Sequence, residues 1–279
     1  FRVDNIYRTP GHNHNAIELH AVTVAWDGDM LELHDASQMI SGSANALAKL
    51  FGLKKEQVRV LSPFVGGGFG GKGLWDHQVV AVAADVTTPE GRDELLAACP
   101  APDILVNNAG GPPPGMWHDW GETEWQGAIR ANMLSPIHLI TAVLPGMIER
   151  KWGRIVNITS GSVKSPIPEL GLSGAARCGL TGFVAGTSRQ VARHGVTINN
   201  LLPGQHETAR IESLMNNTAR NKGISVEEAR AQAYEANPAG RFGTTEEFGA
   251  TCAFLCSAYA GYIVGQNILL DGGAISASF

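Results

Sequence analysis

Between Val65 and Gly73 the chain reads VGGGFGGKG, and Gly66, Gly68 and Gly71 have the G-x-G-x-x-G spacing that lets backbone amides close on a phosphate. A strand-like run, VRVLSPFV, precedes the string. Asp85 lies about 20 residues past the first glycine, where a dinucleotide loop places the acid that takes a ribose hydroxyl. The string is therefore a cofactor loop or a glycine loop of another kind. A second cluster, GHNHNAIELH, offers His12, His14, Glu18 and His20, donors that could hold zinc or simply form a loop entering a strand. Trp117, Trp120 and Trp125 could wall a substrate or pack a helix on its core. Cys252 and Cys256 stand four apart in an apolar helical run with no C-x-x-C or Cys/His partner, so they read as small buried hydrophobes in a reducing compartment.

These groups need elements to hold them. HAVTVAW (20–26) and MLELHDA (30–36) alternate in polarity around Asp27-Gly28-Asp29, a hairpin signal. Ser41 or Ser43 is expected to cap a helix through ANALAKLFGL that ends near Gly52, and VRVLSPFV follows as a strand. From there the rhythm changes. VVAVAAD (79–85) is a continuous apolar run, expected as a strand buried on both faces of a parallel sheet. Thr88 and Pro89 open a short helix; DILVNNAG is the next strand; Thr123 and Gln126 are read as the capping box of a long helix to about Lys151. GRIVNITS, VTINNLLPG and YIVGQNILLDGG read as strands. A helix ending at Gly195, a polar helical stretch from about Glu207 to Ala236 and EEFGATCAFLCSAYAG fill the intervals. Alternating strand and helix argue an α/β fold with a doubly wound parallel sheet.

With 44% hydrophobic and 17% charged residues, the chain falls in the ordinary globular class rather than the disordered one. A net charge of −5 gives no electrostatic reason to expect nucleic acid or a membrane surface as partner. No unbroken apolar run reaches about 18 residues, so no membrane span is expected, and no signal peptide is read. The start at Phe1, in strand-like sequence, is read as a truncated or excised N-terminus.

From about residue 79 onward the chain resembles the short-chain dehydrogenase/reductase family. The resemblance rests on six motifs in order: Asp85 after an apolar strand, NNAG at 107–110, Asn132 in the long helix, Ser160 at a strand end, Pro203-Gly204, and LLDGG at 269–273. It implies NAD or NADP lying across the carboxyl ends of the strands, along Asp85, Asn107, Asn108, Ala109, Gly110, Pro203 and Gly204. It also implies a small carbonyl or alcohol substrate. Ser160 takes the place of the Ser that polarises the carbonyl, and Asn132 that of the Asn holding a relay water. The family's Tyr and Lys fall on Ser173 and Arg177, so Y-x-x-x-K reads S-x-x-x-R. A Tyr starts near pKa ~10 and is brought within reach by adjacent charge. A serine is far less acidic, and an arginine does not titrate. Ordinary carbonyl reduction is thus expected to be impaired unless another group supplies the proton; His206 is the nearby candidate, with a surface histidine as the plain alternative. The family's own fingerprint, T-G-x-x-x-G-x-G, is missing, and with it the first two strands.

Residues 1 to about 78 resemble a piece of the molybdopterin-binding large subunit of the xanthine dehydrogenase and aldehyde oxidase family. HNAIELHAVTVAWDGD, Gln38 and VGGGFGGKGLWDHQ carry the match, with Gln38, Phe69 and Gly70 where that family lays its loop against molybdenum cofactor. The glycine string is then that loop, GHNHNAIELH an ordinary segment entering a strand, and no metal site is expected. The family's later pterin-binding segments and its catalytic Glu have no counterpart, so bound molybdenum cofactor is not expected.

The whole reads as α/β: an incomplete Rossmann-like doubly wound parallel sheet (79–279) preceded by a small α+β segment (1–78), a chimera. The function expected is NAD(P)-dependent carbonyl/alcohol hydride transfer, impaired; the alternatives are a non-catalytic chimeric α/β protein and a molybdenum hydroxylase fragment. A cytoplasmic homo-oligomer is expected, with apolar runs at 178–187 and 250–262 as the candidate interface or, equally, as core-facing surfaces. One further arrangement is open: VRVL beside DILVNN as a truncated first βαβ unit, against residues 1–78 forming a lobe of their own.

Overall fold

The structure, a computed structural model, describes residues 22–27, 30–35, 40–51, 53–62 and 82–276. The candidates His12, His14, Glu18, His20, Gln38, Gly66, Gly68, Phe69, Gly70 and Gly71 lie outside the described residues. The chain divides into two compact units, Phe1–Ala81 and Val82–Phe279.

In the first unit, β1 (Val22–Asp27) and β2 (Met30–Asp35) pair antiparallel in a register that closes on Asp27↔Met30, that of a two-residue hairpin. Helix α1 (Ile40–Phe51) is the crossover that lets β3 (Val58–Leu61) return parallel to β2. Period-two alternation buries Leu31 and Leu33 against Leu47, Ala48 and Val58. It leaves Glu32 on the other face, where it accepts a hydrogen bond from Arg59 at 3.2 Å. Ser41 and Ser43 fall inside α1 rather than at its cap, because the helix already starts at Ile40, and Ser43 is buried. The pairing of β3 with β2 removes the truncated βαβ arrangement: Val58–Leu61 belongs to this three-stranded sheet and does not pair with the strand of DILVNN.

The second unit is a parallel sheet in the order β4 (Ile104–Asn107), β5 (Gly153–Ile158), β6 (Val196–Pro203) and β7 (Asn267–Leu270). Helix α4 (Ser135–Glu149) and helix α5 (Gly171–Val191) cover one face through Ile140, Met147, Val184 and the strand residues Ile155 and Ile198. Helix α8 (Thr245–Cys256) covers the other through Leu255 against Val156 and Leu201. With both faces covered, β5 and β6 are buried almost throughout, their polar residues Arg154, Asn157, Thr197, Asn199 and Asn200 included. Each fully buried Ile, Leu or Met contributes about 1.5–3 kcal/mol. Strand β4 lies at the edge, with Ile104 and Val106 exposed.

Several expectations are corrected here. Residues 82–85 of the expected strand VVAVAAD are unpaired. An extended segment persists as a strand only where a neighbour takes its backbone hydrogen bonds, and the described sheet begins at β4. These residues lead instead into helix α2 (Pro89–Ala98), capped by Thr88 as expected. The long helix is capped not by Thr123 but by Gly121, whose N–H donates to Glu124 Oε2 at 2.8 Å. It runs as α3 (Glu122–Ile129), a π turn (Arg130–Leu134) and α4. Pro136 has no N–H to donate to the Asn132 carbonyl, so the α pattern must break there. The polar stretch is two helices, α6 (Ala209–Lys222) and α7 (Val226–Ala236), split at Gly223, whose φ of +67° ends the first. The last helix stops at Cys256 because Ser257, extended at its end, starts a separate 3₁₀ turn. Glu122–Glu149 is long and apolar enough to cross a membrane, although no unbroken apolar run marks it. Its apolar side, from Leu139 to Met147, is part of the core.

An asparagine chain crosses the whole sheet. Asn107 Nδ2 donates to Asn157 Oδ1 (2.8 Å), Asn157 Nδ2 to Asn200 Oδ1 (3.1 Å), and Asn200 Nδ2 to Asn267 Oδ1 (2.8 Å). The four residues are register partners on successive strands. Asn157→Leu keeps the branched outline in a larger side chain and strands both neighbouring amides, that of Asn200 fully buried. Thermal or urea unfolding is expected to show a loss of roughly 2–4 kcal/mol; an unchanged midpoint would remove the chain from the account of stability.

Candidate active site

The residues with chemical potential sit beyond the carboxyl ends of β4, β5 and β6, where parallel sheets place their ligands. After β4 the chain continues as Asn108-Ala109-Gly110-Gly111 and a proline-rich turn. Two side chains from the covering helices hold this loop. Asn132, buried in the π turn, donates through Nδ2 to the Gly110 carbonyl at 3.3 Å. Arg177 of α5 donates through a terminal nitrogen to the Ala109 carbonyl at 3.3 Å. The other side of the loop is open: a Cβ on Gly110 would meet nothing within 4 Å.

Ser173 and Arg177 are one helical turn apart on α5, both buried, and the guanidinium donates to Ser173 Oγ. Burial first, and the charge of Arg210 second, lower the Arg177 guanidinium from its usual range; arginine nonetheless stays charged. Since Ser173 accepts from Arg177, its own hydrogen is available to an external acceptor. Ser160, half-buried at the end of β5, caps the turn Gly161–Val163 by accepting from Ser162 N (3.1 Å) and Ser162 Oγ (2.9 Å). Its hydroxyl hydrogen is likewise free. Ser162 Oγ is 3.9 Å from where a Cβ on Gly174 would stand, so this turn faces the start of α5.

Pro203 and Gly204 finish β6. Gly204 N donates to the Leu270 carbonyl at 2.7 Å, and a Cβ on Gly204 would come 2.6 Å from Asp271 Cβ, so only glycine lets the two strand ends close. LLDGG is a turn: Asp271 accepts from Gly273 N (2.9 Å) and Ile275 N (2.7 Å), with Gly272 and Gly273 at positive φ. Asp85 is exposed, and hydrogen bonds from Thr87 hold its carboxyl below the usual range. His206 is packed edge-on to the Phe248 ring, 5.1 Å between centroids, with its Nδ1 3.4 Å from the Gly204 carbonyl; no contact to Ser160, Ser173 or Arg177 is made. Of the tryptophans, Trp120 packs on Trp125 and covers Gly171 at the start of α5, whereas Trp117 is exposed.

A cavity of about 220 Å³ brings together Asn107, Asn108, Ala109, Asn132 and Arg177, together with Val86 next to Asp85. Ser160, Ser173, Pro203 and Gly204 lie outside its lining. Asn107 is already committed to the asparagine chain, so its side chain orders the strand while the backbone after it forms the loop.

A family model described as enoyl-(acyl carrier protein) reductase matches residues 74–274, and one described as molybdopterin cofactor-binding domain matches residues 1–92. The chain belongs to the short-chain dehydrogenase/reductase family. It is 35% identical over 198 residues to the 3-oxoacyl-[acyl-carrier-protein] reductase FabG of Vibrio cholerae, covering 69% of this chain and 76% of that one. It is 34% identical to the D-beta-hydroxybutyrate dehydrogenase of Cupriavidus necator, covering 62% and 68%. A solved NADPH-dependent reductase involved in bacilysin biosynthesis superposes with a TM-score of 0.66 at 26% identity, covering 84% and 83%. The Rossmann-like α/β class expected from the sequence is the one found.

Within this short-chain dehydrogenase/reductase frame, three participants were not singled out in the sequence. Ser162 orders Ser160; Gly111 leaves an open point beside Ser173 and Arg177; and Arg210, in the first turn of α6, reaches the same point. Ninety-nine positions separate Gly111 from Arg210, and no spacing rule joins them. The two glycine environments give a paired expectation. Gly204→Ala should lower stability by about 1–3 kcal/mol through the clash at Asp271. Gly186→Ala, exposed inside α5 with nothing within 4 Å, should raise it by about 0.5–1 kcal/mol. Thermal melts of the two variants, moving in opposite directions, check the local packing.

Proposed function

We propose that this chain is an NAD(P)-dependent oxidoreductase moving a hydride between cofactor and a small carbonyl or alcohol. Its rate is held down by the Ser173–Arg177 pair. The observation that carries the reading is the hydrogen bond from the Arg177 guanidinium to Ser173 Oγ, at the positions where the family's Tyr and Lys fall. The described residues fit the nicotinamide end of NAD or NADP: the loop 108–111 is open above Gly110, and Ser160 and Pro203-Gly204 end the adjoining strands. The bound cofactor would supply the hydride.

The remaining chemistry belongs to the chain. Ser160, oriented by Ser162, turns its hydroxyl hydrogen toward the substrate oxygen and polarises the carbonyl. Ser173 offers a second hydroxyl hydrogen, from an alcohol far less acidic than a phenol. Asn132 holds the loop and is suited to order a water at the break between α3 and α4. Arg177 is a fixed charge that orients Ser173 and cannot shuttle a proton. Asp85, Asn108, Ala109, Gly110, Pro203 and Gly204 are assigned to cofactor contact, and Asn107 to holding Asn108 in place. Loss of a tuned general acid costs about 10²–10⁴ in rate.

The double substitution Ser173→Tyr/Arg177→Lys is therefore expected to raise NAD(P)H-dependent reduction of a simple ketone roughly 100-fold or more, with Ser160→Ala cancelling the gain. Measured turnover of the parent equal to that of the double variant would refute the impaired pair. Absence of nicotinamide binding in both proteins, read by cofactor fluorescence, would favour the non-catalytic chimeric protein. Molybdenum and pterin analysis tests the remaining alternative, a hydroxylase fragment; the reading carries no molybdenum cofactor. A cytoplasmic homo-oligomer completes the proposal, its assembly supported by Phe254, Tyr259 and Tyr262, which are exposed within the 250–262 run. Light scattering of Tyr259→Ser/Tyr262→Ser should show a smaller assembly than the parent.

A further inference from the structure

Arg177 and a second arginine, Arg210, stand where no carboxylate of the described residues meets them. The point at which a Cβ on Gly111 would stand is 3.6 Å from a terminal nitrogen of Arg177, 3.6 Å from a terminal nitrogen of Arg210 and 3.6 Å from Ser173 Oγ. Among the described residues, neither arginine forms an ion pair with a carboxylate. Arg154, the other buried arginine without a carboxylate, differs in giving its N–H groups to the carbonyls of Gly153, Gly195 and Ser257.

Arg177 is 8% exposed and gives two of its five N–H groups to Ser173 and the Ala109 carbonyl, leaving the others without protein acceptors. Arg210 stands in the first turn of α6, at the positive end of the helix dipole, where a cation is disfavoured. Arg177, buried without a counter-ion, therefore carries an electrostatic cost that a bound anion would relieve, and the exposed Arg210 brings a second positive charge to the same point. The field of Arg210 is felt at Arg177. Glycine at 111 keeps the space between them clear.

We propose that Arg177, Arg210 and Ser173 form a binding site for a small oxyanion beside Gly111. Two sources of that chemistry reach this end of the sheet: a carboxylate on the substrate, and the diphosphate of the cofactor. The site deepens the reading of hydride transfer and rests on it for the identity of the ligand. Binding itself is measurable without cofactor or turnover, so its failure would leave the result of the turnover experiment standing.

The test is calorimetric titration of the full chain with butyrate, with the neutral isostere butyramide, and with inorganic diphosphate. Butyrate or diphosphate should bind and butyramide should not; the tighter of the two anions names the source. Arg210→Gln, at an exposed position, should weaken binding about tenfold, the loss of one charge-assisted hydrogen bond. Gly111→Ala should block it while the melting temperature stays unchanged, because the added methyl makes ordinary 3.6 Å contacts. Arg193→Gln, about 24 Å along the chain's helical rise from Arg177, is the control and should leave affinity as it was. No binding of either anion, equal binding of butyramide, indifference to Arg210→Gln, or an equal loss in Arg193→Gln would each overturn the site.

Discussion

The second unit depends on a line of four side-chain amides crossing the sheet. Asn107, Asn157, Asn200 and Asn267 sit opposite one another in register, and each of the first three donates to the oxygen of the next. Asn157 and Asn200 are fully buried, so a shift of one residue on any strand would bury unsatisfied amides and turn the apolar faces outward together. Register at this point is register at the active end. Asn157 and Ser160 are three residues apart, Asn200 and Pro203 likewise, and Asn107 directly precedes the loop that Asn132 and Arg177 clamp. A polar chain in the middle of the sheet thereby sets the relative height of the three loops that meet above it.

The clamp on that loop connects structure to chemistry. In the family pattern a phenol and an amine stand on the first turns of α5; here a serine and an arginine do, and the arginine still reaches across to the Ala109 carbonyl. Arg177 ties α5 to the loop, and the proposed loss of rate rests on a weakly acidic serine and a non-titrating charge at these two positions. A flexible point charge with a proton to give has become a planar, permanently charged fork. The scaffold tolerates this because the guanidinium finds one acceptor on its own helix and another on the loop. What it lacks is a counter-ion, and the second arginine makes that lack sharper.

Much of the second unit was legible beforehand for simple reasons. GRIVNITS and VTINNLLPG, read as strands between helical segments, are β5 and β6, and Thr88 with Pro89 marks a helix start by local chemistry alone. Where the reading failed, the deciding fact was not local. VVAVAAD has the composition of a buried strand, yet 82–85 are unpaired since strand formation needs a partner. Thr123 and Gln126 have the spacing of a capping box, yet the helix starts two residues earlier, where Glu124 accepts from the Gly121 N–H. That the Asn107 amide donates to Asn157, fifty residues away on the next strand, was likewise not legible in NNAG.

By itself the sequence determined which residues fall on the family's motif positions: Ser160, Asn132, and serine and arginine where the pattern has tyrosine and lysine. It also determined the α/β alternation that carries them, since side-chain identity and hydrophobic period are properties of the chain. Only the tertiary structure decided which of these groups meet. Arg210 converges with Arg177 and Ser173 on Gly111, and four asparagines from four strands join into one chain. Such distances arise from packing and register between segments scores of residues apart, and no local pattern encodes them.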